Sequence, residues 1–347
     1  MSGIFGLFNQ DGAPVRGDEL ARMASLLERR GPDRTGTWHE GAIGLGHTLL
    51  ATTPELVFER QPLRHAESGC VISADVRLDN RPELLASLGI AAERGPSVGD
   101  AEIILTAYLA WGESCVERLL GDFAFAIWDP RRRALFCARD HFGMRPLYYH
   151  HTPGRFFAFA SEPRAILVLP QTPYRINEGR IADFLVSQLE GIDKTSTFFE
   201  EVYRLPPAHV LTVTPGGVKQ RRYWTLEPGP ELRLPTDEAY AEAFLDVFTE
   251  SVRCRLRGGR AGGFHAERWH GFRLGGRRGA GVAGGGGARS AAHLLGHLPR
   301  SERMHRNPHN PSGLDAGRPQ SLHDPSWAIG VLDADARSAD LEPGRAI

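Results

Sequence analysis

Few residues of this chain stand where a side chain could do chemistry, and the first is Ser2. It follows Met1, and a second residue this small permits removal of Met1, which would leave the serine at a free N-terminus. A hydroxyl there is a much poorer nucleophile than a thiol near neutral pH, because so little of it ionises. Asp100, in Gly99-Asp100-Ala101-Glu102, precedes Ile103, Ile104, Ala107 and Tyr108 at helical spacing, where it would cap the helix. Arg30 and Asp33 straddle Gly31-Pro32 and would pin that turn. Arg139 and Asp140 end an apolar strand, where a buried ion pair or hydrogen-bond network fits better than catalysis. Gly121 and Gly143 suit tight turns. Cys70, Cys115, Cys137 and Cys254 lie far apart, with no zinc spacing and no disulfide framework. They read as buried free thiols of a cytoplasmic protein.

The elements that must position these groups follow from periodicity. Residues 3–8 are an apolar run bounded by polar turn residues, a buried strand. From 18 to 30, Leu20, Met23, Ala24 and Leu27 recur at helical spacing until Gly31-Pro32 stops them. Runs 43–50, 69–76, 123–128, 134–138 and 156–160 read as strands, and 83–88 as a short helix. The strands are short and several are joined by hairpin-length turns. That pattern favours an α+β sandwich over a doubly wound parallel sheet. Residues 170–235 are proline-rich and read as a connector, with one hairpin around Pro215-Gly216-Gly217. Over 236–257 an amphipathic helix gathers Tyr240, Phe244, Val247, Phe248 and Val252 on one face.

The length of 347 residues suggests two domains, and the net charge of −1 gives no reason to expect nucleic acid as a partner. No apolar run is long enough to span a bilayer, and no basic-then-hydrophobic segment reads as a secretory signal. The expectation is a cytoplasmic protein acting on a small-molecule or peptide substrate.

Several motifs together resemble one family. They are Met1-Ser2-Gly3-Ile4, Arg30-Gly31-Pro32-Asp33, Gly121-Asp122-Phe123-Ala124-Phe125-Ala126, the run from Arg139 to Tyr149, and Ser161-Glu162-Pro163-Arg164-Ala165. In this order and spacing, over residues 1 to about 257, they resemble the glutamine-hydrolysing asparagine synthetases, with a class II glutamine amidotransferase domain at the N-terminus. The resemblance implies an N-terminal-nucleophile αββα sandwich over 1–169. A connector over 170–235 and the first helix of an α/β ATP-pyrophosphatase-type synthetase domain over 236–257 would follow. It also implies ATP and Mg2+ as cofactors, and amide formation by adenylation of a carboxylate followed by attack of an amine.

The same resemblance marks departures at the glutaminase site. The family opens Met-Cys-Gly-Ile, and its exposed cysteine is a nucleophile whose own α-amine serves as base. Here Ser2 takes that place. The family's Asn-Gly-Glu strand, which stabilises the oxyanion and contacts glutamine, aligns with Ser73-Ala74-Asp75. The arginine that grips the glutamine carboxylate aligns with Leu49, in His47-Thr48-Leu49. Leucine cannot make that bidentate bond. Asp100 alone matches its counterpart, the ligand of the substrate ammonium, although a plain helix cap would account for it too. The implied outcome is a degenerate site that does not hydrolyse glutamine. The Met-Ser-Gly-Ile start and residues 73–80 look closer to the lasso-peptide macrolactam cyclases, which keep the sandwich without using glutamine-derived ammonia. A non-enzymatic remnant and a weak serine amidohydrolase using Ser2 are the other readings.

After residue 257 the composition changes. Lys, Tyr and Cys vanish, half the histidines of the chain crowd in, and apolar periodicity is lost. Such a segment buries too little apolar surface to offset its ordering entropy, so 258–347 is expected to lack a packed core. Residues 264–273, back-translated with permitted codons and read one base later, give Ser-Met-Leu-Ser-Gly-Gly-Met-Asp-Ser. That resembles the ATP-pyrophosphatase loop of asparagine synthetases. Residues 303–309, shifted alike, give Cys-Ile-Glu-Thr-Arg-Thr, like a piece that follows the loop. The reading is a frameshift near 258–263, with the ATP loop lost from this chain.

Overall fold

The computed structural model describes residues 1–53, 55–57, 59–186, 189 and 191–256. The expected tail, the frameshift and the ATP loop all lie outside the described residues. In chain order the strands are β1 (Gly3–Asn9), β2 (Arg34–Glu40), β3 (Ile43–Leu49), β4 (Leu63–Arg64), β5 (Val71–Leu78), β6 (Gly121–Asp129), β7 (Ala134–Arg139), β8 (Tyr148–Thr152), β9 (Phe156–Ala160), β10 (Val202–Arg204), β11 (His209–Thr214) and β12 (Gly217–Arg222). The helices are α1 (Gly17–Leu27), α2 (Arg81–Ser87), α3 (Asp100–Trp111), α4 (Pro163–Leu167), α5 (Glu178–Leu185) and α6 (Asp237–Arg255).

The strands form two sheets, ordered β10-β8-β9-β1-β3-β2 and β12-β11-β7-β6-β5-β4. The pairings are antiparallel, as the short, hairpin-linked runs predict. Side-chain alternation along β1 shows how the layers stack. Ile4 and Phe8 enter a core shared with Val71, Ala124 and Ala126 of the opposite sheet. Phe5 and Leu7 face the other way, onto Leu20, Met23 and Leu27 of α1 and Ile166 of α4. On the far side, Ile72, Ala74 and Val76 of β5 meet Ile103, Ile104 and Ala107 of α3. The result is helix, sheet, sheet, helix around three apolar layers. Each fully buried large side chain contributes roughly 1.5–3 kcal/mol. Among the described residues no helix is long and apolar enough to cross a membrane.

Local chemistry departs from the sequence expectation in a few places. Strand β2 is half exposed and polar, so its alternation carried no apolar signal. The stretch 170–235 does more than connect: β10 extends the first sheet beside β8, and the β11–β12 hairpin extends the second beside β7. Gly121 lies in β6 rather than in a turn, with φ +142 and its Cβ position 2.1 Å from the Arg77 carbonyl oxygen. Asp100 is not the cap of α3. Gly99 holds that position, and Asp100 is the first helical residue. Arg139 and Asp140 form a hydrogen-bond network. The guanidinium donates to the Arg145, Leu205 and Gly143 carbonyls, and the carboxylate accepts from the N–H groups of Phe142, Met144 and Arg145. The face of α6 expected to be apolar is largely exposed, Phe244 at 70% and Val247 at 69%.

Candidate active site

Ser2 sits at the rim of the sandwich, just before β1 and only 6% exposed. Its Oγ accepts from the Leu50 N–H at 3.1 Å, and its carbonyl accepts from Arg30 Nε at 3.1 Å. Arg30 therefore holds the N-terminal segment rather than its own turn. Its Nη1 reaches Glu162 at 3.4 Å. The turn depends on Gly31, where a Cβ would lie 2.2 Å from the Thr48 carbonyl oxygen. Asp33 fastens the other side by accepting from the Ala51 N–H at 2.7 Å.

Opposite Ser2, strand β5 presents Asp75. The Arg145 Nη1 stands 3.5 Å from one of its oxygens and the Arg30 Nη2 3.7 Å from the other. The Ser2 backbone N–H also faces this carboxylate, so removal of Met1 would set the α-amine of Ser2 against it. Burial pushes the Asp75 carboxyl above the ordinary carboxylate range, while Arg145, Arg30 and the Ser2 N–H pull it back.

Ser2, His47, Leu50, Ala74, Asp75 and Arg145 line a chamber of about 110 Å³. Met1 and Arg145 line both this chamber and an adjacent groove of about 1180 Å³ that runs past His141, Phe142 and Trp224 to the C-terminal end of α6. His47 lies on β3, in register with Ile4 of β1, and is 3% exposed. Burial holds its imidazole down at about 4, partly offset by its hydrogen bond to the Ala74 carbonyl. At neutral pH the ring is uncharged.

The expected oxyanion strand is occupied by internal bonds. Ser73 Oγ donates across the sandwich to the Gly46 carbonyl at 2.7 Å. The Ala74 N–H donates to Gln61 Oε1 at 2.6 Å, and Gln61 Nε2 donates to the Ala74 carbonyl at 3.0 Å. Gln61 thus takes up both backbone groups of Ala74. Behind Gln61 stands Glu59, pushed up to about 7, first by burial and then by the neighbouring Asp100.

Of the residues singled out from sequence, the structure brings Ser2, Ala74 and Asp75 together around the chamber, with Ser73 two residues from Asp75 on the same face of β5. Leu49 and Asp100 do not line it. Leu49 is buried at the end of β3, its carbonyl accepting from the Asp33 N–H at 3.0 Å. Asp100 is 5% exposed and engaged elsewhere. It accepts from the Leu78 N–H at 2.9 Å and from Arg81 Nη1 at 2.5 Å, and Arg81 also donates to the Gly95 and Val98 carbonyls. Sequence reasoning placed no role on His47, Gln61, Glu59 or Arg145. Arg145 falls inside a recognised motif, but nothing in that motif ties it to Asp75. His47 and Gln61 meet Ala74 only through sheet packing.

Among the described residues ATP and Mg2+ find no cradle. No strand-to-helix junction among those residues is the glycine-rich loop that would aim backbone N–H groups at a phosphate, and no step through ATP or Mg2+ is derived.

A model of the glutamine amidotransferase domain matches residues 1–224. Asparagine synthetase [glutamine-hydrolyzing] 3 of Bacillus subtilis is 34% identical over 214 residues, which cover 60% of this chain and 34% of that protein. Amidase chry2 of Gibberella zeae is 31% identical over 247 residues, 69% of this chain and 35% of its own length. A putative glutamine-hydrolysing asparagine synthetase of Mycobacterium bovis is 37% identical over 162 residues, 43% of this chain and 24% of its own length. The chain spans about a third or less of the length of these relatives. The two packed antiparallel sheets, Ser2 at the head of β1 and the match over 224 residues lead to one conclusion: the chain belongs to the glutamine amidotransferase domain family, class II, and is related to the asparagine synthetases.

Proposed function

We propose that this chain is the amidotransferase-domain part of an asparagine-synthetase-type enzyme that makes amides at the cost of ATP, and that its own glutaminase site does not hydrolyse glutamine. The carrying observation is the fate of Asp100, which matches the family ligand for the substrate ammonium. Its carboxylate is committed to Arg81 and the Leu78 N–H, inside the protein and off the chamber. The Gln61–Ala74 pair supports the same reading, because it engages an N–H that would stabilise the oxyanion. Serine at the nucleophile position adds a third handicap.

ATP and Mg2+ would act in a synthetase domain, of which α6 is the expected beginning. In that reading the remaining ATP loop is lost to a frameshift past residue 257. Sequencing the coding DNA tests this. A second frame that stays open past the present stop supports the truncated ligase, whereas a closed one removes it. A lasso-type macrolactam cyclase is the second reading. It is favoured by the Ser2 start and the Ser73-Ala74-Asp75 strand, since ring closure by an α-amine needs no glutamine. The direct test is ammonia release from glutamine by the Met1-free chain. None is expected above background, and turnover at ordinary enzyme rates would overturn the proposal.

A further inference from the structure

Four buried side-chain atoms near Ser2 have no hydrogen-bond partner: His47 Nε2, Asp75 Oδ2, Arg145 Nε and Arg30 Nη2. Orphaned polar atoms are rare in folded proteins and ask for a reason. For three of them charge supplies part of one, because Arg30 and Arg145 both face Asp75. His47 has no such partner. Its ring contacts the Ala74 backbone and Nε2 has no partner, so with the ring proton on Nδ1 the Nε2 atom offers a lone pair. That ring lines the same small chamber as Ser2. The Ser2 Oγ accepts from the Leu50 N–H, so its own hydrogen remains to be donated.

We infer that the Ser2 chamber is an acceptor site for a small acyl group, in which the Ser2 hydroxyl is the nucleophile and His47, directly or through one water, is its base. This rests on Ser2 holding the nucleophile position but not on whether glutamine is a substrate. The family chemistry draws its base from the α-amine freed by removal of Met1. Here a base is present on a neighbouring strand whether or not Met1 is removed. The chamber suits an uncharged acyl group of a few heavy atoms, because the cations beside it, Arg145 and the α-ammonium of Met1, already act on Asp75. The step balances with an activated ester as the acyl donor. As the Ser2 Oγ attacks the carbonyl carbon, its proton passes to His47 Nε2. The carbon–oxygen bond to the leaving group then breaks, the leaving group departs with that electron pair, and the proton returns to it or to solvent. Attack by water on the acyl-serine by the same route would release the free acid and restore Ser2.

The groups facing His47 set its pH dependence. Ala74 and Asp75 approach from β5 and Ser2 from the head of β1. Arg145 and Met1, with its α-amine, line the chamber, Arg30 stands behind Asp75, and Gln61 and Glu59 lie behind Ala74. Burial keeps the imidazole neutral down to about pH 4, so a His47-driven rate is flat from about pH 5 upward and falls below that. A rate driven by a free α-amine rises instead through about pH 8.

The experiment treats the full chain with p-nitrophenyl acetate and follows intact mass, peptide mapping and hydroxylamine sensitivity, which removes an ester but not an amide. The expected result is one hydroxylamine-labile acetyl on Ser2 of the Met1-bearing chain, whose α-amine is too far along the chain to take the acetyl from the serine oxygen. Its rate should be flat from pH 5 to 8, lost in Ser2→Ala and lowered roughly a hundredfold in His47→Gln. Acetylation elsewhere, only after Met1 removal, or with a rate rising through pH 8 would overturn the inference. If His47→Gln fails to fold, the pH profile of the unaltered chain decides. Failure to release ammonia from glutamine leaves this result untouched, and acetylation of Ser2 says nothing in favour of glutaminase activity.

Discussion

Replacing Asp100 separates a structural carboxylate from a substrate ligand. Asp100 and Arg81 are 5% and 6% exposed, and Arg81 is held in place by the Gly95 and Val98 carbonyls as well. Asp100→Ala therefore takes from the buried Arg81 guanidinium the carboxylate bonded to it, with Glu59 the carboxyl that remains nearby, and leaves the Leu78 N–H without an acceptor. Breaking such a pair costs roughly 3–5 kcal/mol. Asp100→Asn keeps an acceptor but loses the charge, and a loss of about 1.5–3 kcal/mol is expected. With a urea dependence of about 2–3 kcal/mol per molar for a body of this size, the alanine variant should unfold roughly 1–2.5 M earlier. The assay is urea unfolding of the full chain followed by far-ultraviolet circular dichroism, with parent and both variants side by side. An Asp100→Ala midpoint within about 0.2 M of the parent, less than 1 kcal/mol on the same scale, would refute the reasoning. Asp100 would then be available to a substrate, and the main support for an inactive glutaminase would fall.

Three further outcomes are expected. Glu59 is raised in the fold from 4.5 to about 7, so the folded state binds the extra proton and stability falls as pH rises through that window. Glu59→Gln should remove up to about 3 kcal/mol of that loss, measured as the difference in unfolding free energy between variant and parent from pH 4.5 to 8. The difference is the quantity to read, because His47, held down at about 4, drives stability the opposite way as pH falls from 6.5. Ser73→Ala, which removes the donor to the Gly46 carbonyl across the sandwich, should cost about 1–2 kcal/mol of unfolding free energy. An unchanged midpoint would mean that the bond is not formed in solution. Gly31→Ala forces a Cβ against the Thr48 carbonyl and should cost about 1–3 kcal/mol, seen as a lower melting temperature, whereas a neutral result would show that the turn can shift.

Much of the sandwich was legible because its strands carry their own signal. In β1 and β9 almost every residue is apolar and buried on both faces, so the runs stand out without any partner. Strands β2 and β8 did not, because Arg34–Glu40 and Tyr148–Thr152 carry polar side chains whose strand state comes from pairing with β3 and β9. The site divides the same way. Ser2 and Ser73-Ala74-Asp75 were found by position in a motif. The Asp100 network, the Gln61–Ala74 pair and the neutral His47 depend on groups from β3, the segment before β4 and the start of α3. No local pattern joins segments so far apart in the chain. A helix cap was the natural reading of Asp100 from its neighbours in sequence, and only the position of Arg81 replaces it.

In the proposed function the amidotransferase fold does not turn over glutamine, and the fault lies in the surroundings as well as in the nucleophile. Ser2→Cys repairs the nucleophile alone. It leaves the Ala74 N–H on Gln61, where a missing oxyanion donor costs roughly 2.7–4 kcal/mol, about two to three decades in rate. Ammonia release from glutamine by Met1-free Ser2→Cys, with the new N-terminus verified by mass, is the most direct measurement. The expected result is release at least about a hundredfold below ordinary enzyme rates. Turnover in the ordinary enzyme range of about 1–10³ per second would contradict it, and would mean a working site that had merely exchanged its nucleophile.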